Sequence, residues 1–216
     1  MGWAVTAGRR LKINRRQILK LLLLTLFLLP ACRQAVQPPN DSTLLTPFVG
    51  KTGIIVEGKF LEFFYRFGGV ESLGQPLTAV VVVDGWQVQY FEKGRLEYHP
   101  ENEPAYRITV GWLGELLHRR RPPIPVSSLP SSQETRRRYF PKTGHTLSGD
   151  FLTYFETHGG SVRFGLPISE PFLKDGRLVQ DLQSARFSWT PMLSAPVTLE
   201  DIGALHLQTT EFAVTK

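Results

Sequence analysis

A single cysteine, Cys32, stands in a chain of 216 residues, so no internal disulfide can form and the folded part is held together by packing alone. Long hydrophobic runs are missing too. The greasiest stretch, residues 21–29 with Thr25 inside it, falls well short of the ~20 apolar residues that a membrane-spanning helix needs. No His-Glu-x-x-His, Cys-x-x-Cys or nucleophile-elbow pattern occurs, and His99, His118, His145, His158 and His206 are too scattered for a paired metal motif. Excess charge is also absent once its distribution is considered. Of the 25 Lys and Arg residues, six (Arg9, Arg10, Lys12, Arg15, Arg16 and Lys20) lie ahead of or at the edge of the apolar run; removing them leaves 19, which balances the 19 Asp and Glu residues. A chain neutral over its remaining length lacks the basic surface that polyanion binding requires, so no nucleic-acid partner is expected.

What is present at the N-terminus is a basic segment with no acidic residue, followed by a short apolar run, the pattern of an export signal. Arg15-Arg16-Gln17-Ile18-Leu19-Lys20 resembles the twin-arginine export signal, with Arg15 and Arg16 as its arginine pair. Leu29, Pro30 and Ala31 before Cys32 resemble a lipobox, which implies diacylglycerol on the Cys32 thiol and cleavage just before it. Acyl chains contribute about 0.8 kcal/mol per buried CH₂, so a multiply acylated Cys32 is a firm anchor. The expected site is therefore the extracytoplasmic face of a membrane in the cell envelope. An uncleaved signal anchor and ordinary cleavage with a free thiol stay open as alternatives.

An internal repeat organises the rest. Residues 51–100 align with residues 142–191 at an offset of 91 without a gap, and 17 of the 50 positions are identical. In both copies a glycine (Gly58, Gly149) precedes apolar and aromatic residues at helical spacing: Phe60, Leu61, Phe63, Phe64 and Phe67, then Phe151, Leu152, Tyr154 and Phe155. Gly68-Gly69 and Gly159-Gly160 stop this helix. A Gly-x-Pro follows (Gly74, Pro76; Gly165, Pro167), then apolar stretches around the hairpin signals Asp84-Gly85 and Asp175-Gly176. The β-branched run at residues 80–83 reads as strand, and residues 87–100 read as two more strands broken near Lys93-Gly94. The expected fold class is α+β: two tandem modules, each a short helix packed on a small antiparallel sheet. The expected organisation is a signal at 1–31, a linker at 32–46, module 1 at 47–117, a Pro/Ser/Arg linker at 118–138 edged by two arginine triplets, module 2 at 139–208 and a tail at 209–216.

"GGVESLGQP", the hairpin "DG", "YFEKGRLEYHP" and "AYRITVGWLG" resemble the LGFP repeat of bacterial cell-envelope proteins over about residues 58–114, and more weakly over 149–207. The second copy departs where Tyr90, Phe91 and Glu92 become Asp181, Leu182 and Gln183, and Gly94 becomes Ala185. The resemblance implies attachment to, or organisation of, the wall and its glycans.

The duplicated residues are mostly glycine, proline and aromatic, which argues against an enzyme; no catalytic residue, metal ligand or cofactor is expected. Glu97 and Glu101 are the only carboxylate pair singled out for glycosidase chemistry, and they are not duplicated. Among the repeated polar residues, Gln89/Gln180 and Arg95/Arg186 lie on adjacent expected strands, either as a cross-strand pair closing the sheet or as glycan contacts. The aromatic set Trp86, Tyr90, Phe91, Tyr98, Trp112 and Trp189 either fills cores or stacks on sugar rings. The candidate ligand-binding residues are Trp86, Gln89, Tyr90, Arg95 and Tyr98. These readings converge on a non-catalytic, lipid-anchored protein that binds cell-wall or surface polysaccharide or organises envelope proteins. An unrecognised envelope hydrolase and a purely structural spacer are the alternatives.

Overall fold

The computed structural model describes residues 45–128, 136–191 and 194–214. The expected signal with Arg15, Arg16, Leu29, Pro30 and Ala31, the Cys32 lipidation site and most of the following linker lie outside the described residues, as does the middle of the 118–138 stretch. Among the described residues, no helix is long and apolar enough to cross a membrane. Residues Asp41–Lys216 make one compact unit that contains both repeat copies.

The architecture is α+β. In the first copy β1 (Phe48–Val49) pairs with β2 (Ile55–Val56), followed by helices α1 (Lys59–Arg66) and α2 (Gly69–Leu73) and a four-stranded antiparallel meander. Its strands are β3 (Val81–Val83), β4 (Trp86–Phe91), β5 (Gly94–Tyr98) and β6 (Ile108–Val110), and a single helical turn, α3 (Leu113–Leu116), follows. The second copy repeats the plan with β7 (Arg137–Phe140), β8 (His145–Ser148), α4 (Gly149–Thr157), α5 (Gly160–Phe164), β9 (Phe172–Lys174), β10 (Arg177–Asp181), β11 (Arg186–Trp189) and β12 (Val197–Leu199). Helix α6 (Ile202–Val214) then runs into the stretch read from sequence as a tail.

The local causes are those of the sequence pattern. Phe60, Leu61 and Phe64 in α1, and Phe151, Leu152 and Phe155 in α4, are buried at equivalent positions against the sheet residues Phe91 and Leu96, or Leu182 and Phe187. Left-handed Gly68 (φ 91°) and Gly159 (φ 104°) end these helices. Where the sequence reads a stop, the chain at once begins a second helix, α2 or α5, which at five residues is too short to show a period. Both hairpin turns place two residues at positive φ, Asp84 (51°) with Gly85 (85°) and Asp175 (50°) with Gly176 (75°), the handedness that matches strand twist.

The copies are interlocked. Helix α3 leaves the first copy and docks on the second, where the Gly114 N–H donates to Gln183 O at 2.8 Å. Helix α6 leaves the second copy and docks on the first, where the N–H groups of Gly203 and Ala204 both donate to Glu92 O at 3.0 Å. Leu113 and Ile202, one at the start of each helix, are buried. Between the copies, Arg163 donates to Ser72 Oγ at 2.8 Å and Ser72 O at 2.6 Å. Ser72 and Arg163 are 91 positions apart, the repeat offset, so the joint brings equivalent residues together.

Candidate functional site

The four-stranded sheet of the first copy has two faces, and they separate the residues that the sequence grouped. In the β4–β5 register Gln89 lies opposite Leu96, whereas Tyr90 lies opposite Arg95. Gln89 and Arg95 therefore point to opposite sides of the sheet, and the expected Gln–Arg cross-strand pair does not exist. Gln89 is 0% exposed, and its amide donates to Ile55 O (2.9 Å) and Thr78 O (3.1 Å), tying β2 and the Gly-x-Pro loop to the sheet. Gln180 repeats this with Thr146 O and Ser169 O. That duplicated role explains the duplicated residue and takes Gln89 off the list of ligand contacts.

Tyr90 is 1% exposed and also unavailable to a ligand. Its phenol oxygen accepts from Arg95 Nη1 at 2.9 Å and meets His206 Nδ1, from α6, at 3.2 Å. Because arginine only donates, the phenol proton is free for His206 Nδ1, which leaves the imidazole proton on Nε2. Burial, reinforced by Arg95, holds His206 below the usual histidine range against the opposing pull of Glu97. In the second copy Asp181 takes the place of Tyr90, and Arg186 grips it with two bonds of 2.6 and 2.9 Å. The repeated arginine thus serves whichever residue lies across the hairpin.

The change from Glu92 to Gln183 also keeps one role. Glu92 Oε2 accepts from Gln75 N at 2.9 Å and Gln183 Oε1 from Leu166 N at 2.8 Å.

Tyr98 is half-buried with Lys59 Nζ 3.6 Å above its ring. Its counterpart Trp189 donates from Nε1 to Asp150 Oδ2 at 2.8 Å, and Asp150 is the counterpart of Lys59. Trp86 is half-buried and tilted against His99, with ring centroids 4.3 Å apart.

The exposed aromatics lie elsewhere. Trp112, in the linker from β6 to α3, is 57% exposed, and Tyr106, in the 3-10 turn Pro104–Tyr106, is 59% exposed. Trp112 borders two clefts. One, of about 460 Å³, is lined by Arg95, Glu97, His99, Asn102, Thr109, Glu115 and Leu116. The other, of about 170 Å³, lies between Tyr106 and Ile108 of the first copy and Ser161, Val162 and Ser184 of the second. Thr109, Val110 and Trp112 line both.

No protein-family model matches the chain, and no curated protein is similar to it. The site therefore stands on its geometry alone.

That geometry pairs the charges off. Arg95 binds Glu97 through Nε at 2.9 Å and through Nη2, while the other Glu97 oxygen meets His99 Nε2 at 3.1 Å. His99 Nδ1 meets Glu101 Oε1 at 3.1 Å, and Arg120 holds both oxygens of Glu115. Burial pulls the Arg95 guanidinium down, but Glu97 and Tyr90 outweigh it and leave the group above its ordinary value. Among the described residues, no three His, Cys, Asp or Glu side chains are placed to hold a metal.

A second pair of grooves, of about 100 and 200 Å³, sits beside α1 and α4 at equivalent places. Lys59, Glu62 and Arg66 in one become Asp150, Thr153 and Thr157 in the other, so no single ligand chemistry suits both. Sequence reasoning included Trp112 among the aromatics without selecting it, and passed over Tyr106, Thr109 and Asn102. Non-repetition marks two of them: once the two-residue shortening before β12 is allowed for, Trp112 aligns with Asp201 and Tyr106 with Ala195, whereas Thr109 aligns with Thr198.

Proposed function

We propose that this chain is a non-catalytic, lipid-anchored protein of the cell envelope that binds wall or surface polysaccharide through the paired clefts at Trp112. The observation that carries the reading is the exposed Trp112 indole standing between two clefts, with Tyr106 at the edge of one. Large aromatic rings are normally covered, and an uncovered one beside hydrogen-bonding groups offers the C–H face of a sugar ring a flat partner. The twin-arginine-like Arg15-Arg16, the lipobox-like residues ahead of Cys32 and the LGFP-like motifs agree with an envelope location. The full chain is expected to co-sediment saturably with insoluble cell-wall polysaccharide. Trp112→Ala, which removes an exposed ring, should lose that binding while keeping the wild-type unfolding midpoint. Equal binding by the variant would remove Trp112 from the account, and no binding by either protein would redirect the search to an envelope protein as the occupant of the same exposed apolar surface. For location, Cys32→Ala is expected to move the chain from the membrane fraction to the soluble fraction.

A further inference from the structure

We infer that the ligand is an uncharged polysaccharide, held along its length across the joint between the two repeat copies rather than by a chain end; this rests on the glycan reading above. The charged groups lining the larger cleft already hold partners. Arg95 is engaged by Glu97 and Tyr90, Glu97 also by His99, His99 by Glu101, and Glu115 by Arg120. A charged ligand would have to break such a pair and leave a partly buried partner uncompensated. The other polar and aromatic residues lining the clefts, Asn102, Tyr106, Thr109, Trp112, Ser161 and Ser184, are uncharged.

The two clefts share a wall. The larger cleft, at about 460 Å³, already lies within the ~300–1,000 Å³ span of ordinary ligand sites and exceeds what one sugar ring fills. Thr109, Val110 and Trp112 also line the smaller cleft, whose lining includes Ser161, Val162 and Ser184 of the second copy. The joint beneath is tied by Ser184 Oγ donating to Val110 O at 3.2 Å and by Arg163 on Ser72, so the two halves of the path are held in register. Val162, 53% exposed in the smaller cleft, touches only a ligand long enough to pass Trp112.

The test is calorimetric titration of the full chain, in a detergent without a sugar headgroup, against three ladders of di- to hexasaccharides: neutral gluco- and manno-oligosaccharides, anionic oligogalacturonates and cationic chitosan oligomers. At least one neutral ladder should bind, tightening about tenfold or more from disaccharide to hexasaccharide and changing less than about twofold between low and ~0.5 M salt. Val162→Asp should weaken the hexasaccharide about tenfold and leave the disaccharide unchanged, whereas Trp112→Ala should weaken both. Binding by a charged ladder alone, steep salt dependence or affinity independent of length would overturn this inference and leave the glycan reading standing. Binding by none of the ladders, together with no retention on insoluble wall polysaccharide, would remove both.

Discussion

Alanine in place of Gly203 tests the interlocking of the copies, because the sign of its effect depends on it. In the interior of a free helix, glycine to alanine is stabilising by about 1 kcal/mol. Here a Cβ on Gly203 would fall on Phe91 O and lie 2.6 Å from Gly94 O and 2.7 Å from Gly94 N. Those atoms are backbone of the β4–β5 hairpin and cannot rotate away, so α6 must retreat. Retreat weakens the two hydrogen bonds to Glu92 O, about 1 kcal/mol each, and uncovers part of Ile202, worth ~1–2 kcal/mol. Against the ~1 kcal/mol propensity gain, the net is a loss of about 2–3 kcal/mol, or roughly 5–10 °C in Tm for a unit of this size. Urea unfolding followed by circular dichroism and tryptophan fluorescence measures it. Gly114→Ala should behave alike, since its Cβ would fall on Leu182 O and lie 3.1 Å from Gln183 O. Both variants should shift one common transition, because each helix belongs to one copy and covers the other. Stabilisation by either substitution, or a shift of one of two separate transitions, would refute the reciprocal docking.

Removing the Gln89 amide by Gln89→Leu strands Ile55 O and Thr78 O, and Gln180→Leu strands Thr146 O and Ser169 O; each should cost ~2–3 kcal/mol in urea unfolding. The fully buried Arg163 guanidinium, pushed down to about 10 by desolvation, hydrogen-bonds only Ser72 among the described residues, so Arg163→Met should cost at least ~1 kcal/mol less than Arg163→Ala, which leaves a cavity. His206 is held low in the fold, so the unfolded chain binds more protons near pH 6; the stability linked to it is present above the unfolded pKa and falls as pH drops through that window. His206→Gln should therefore flatten the slope of unfolding free energy between about pH 7.5 and 5.

What could be read from the sequence was what the fold uses twice. Phe60/Phe151, Leu61/Leu152 and Phe64/Phe155 repeat because both copies bury the same helix face, and Asp84-Gly85 repeats because both hairpins need the same turn. Gln89 and Arg95 repeat too, yet for separate reasons that only strand register reveals: the two-residue turn at Glu92-Lys93 sets Tyr90, not Gln89, opposite Arg95. The exchange of α3 and α6 was hidden because α3, at four residues, has no period, and because Gly114 and Gly203, which permit close docking, look like weak points in a helix. Tyr90 read as a ligand contact because its cover, His206, lies 116 residues away. Trp112 and Tyr106 went unselected because the repeat drew the choice toward duplicated strands, whereas these two are tied to neither core.

Hydroxyl-radical footprinting of the full chain, with and without saturating envelope polysaccharide, maps the surface that the polysaccharide covers. Polysaccharide should protect Tyr106, Trp112 and Val162 and leave Tyr65 and Leu173, exposed away from the two clefts, as reactive as before. Protection that falls on other residues while Trp112 stays reactive would contradict the assignment of the binding surface.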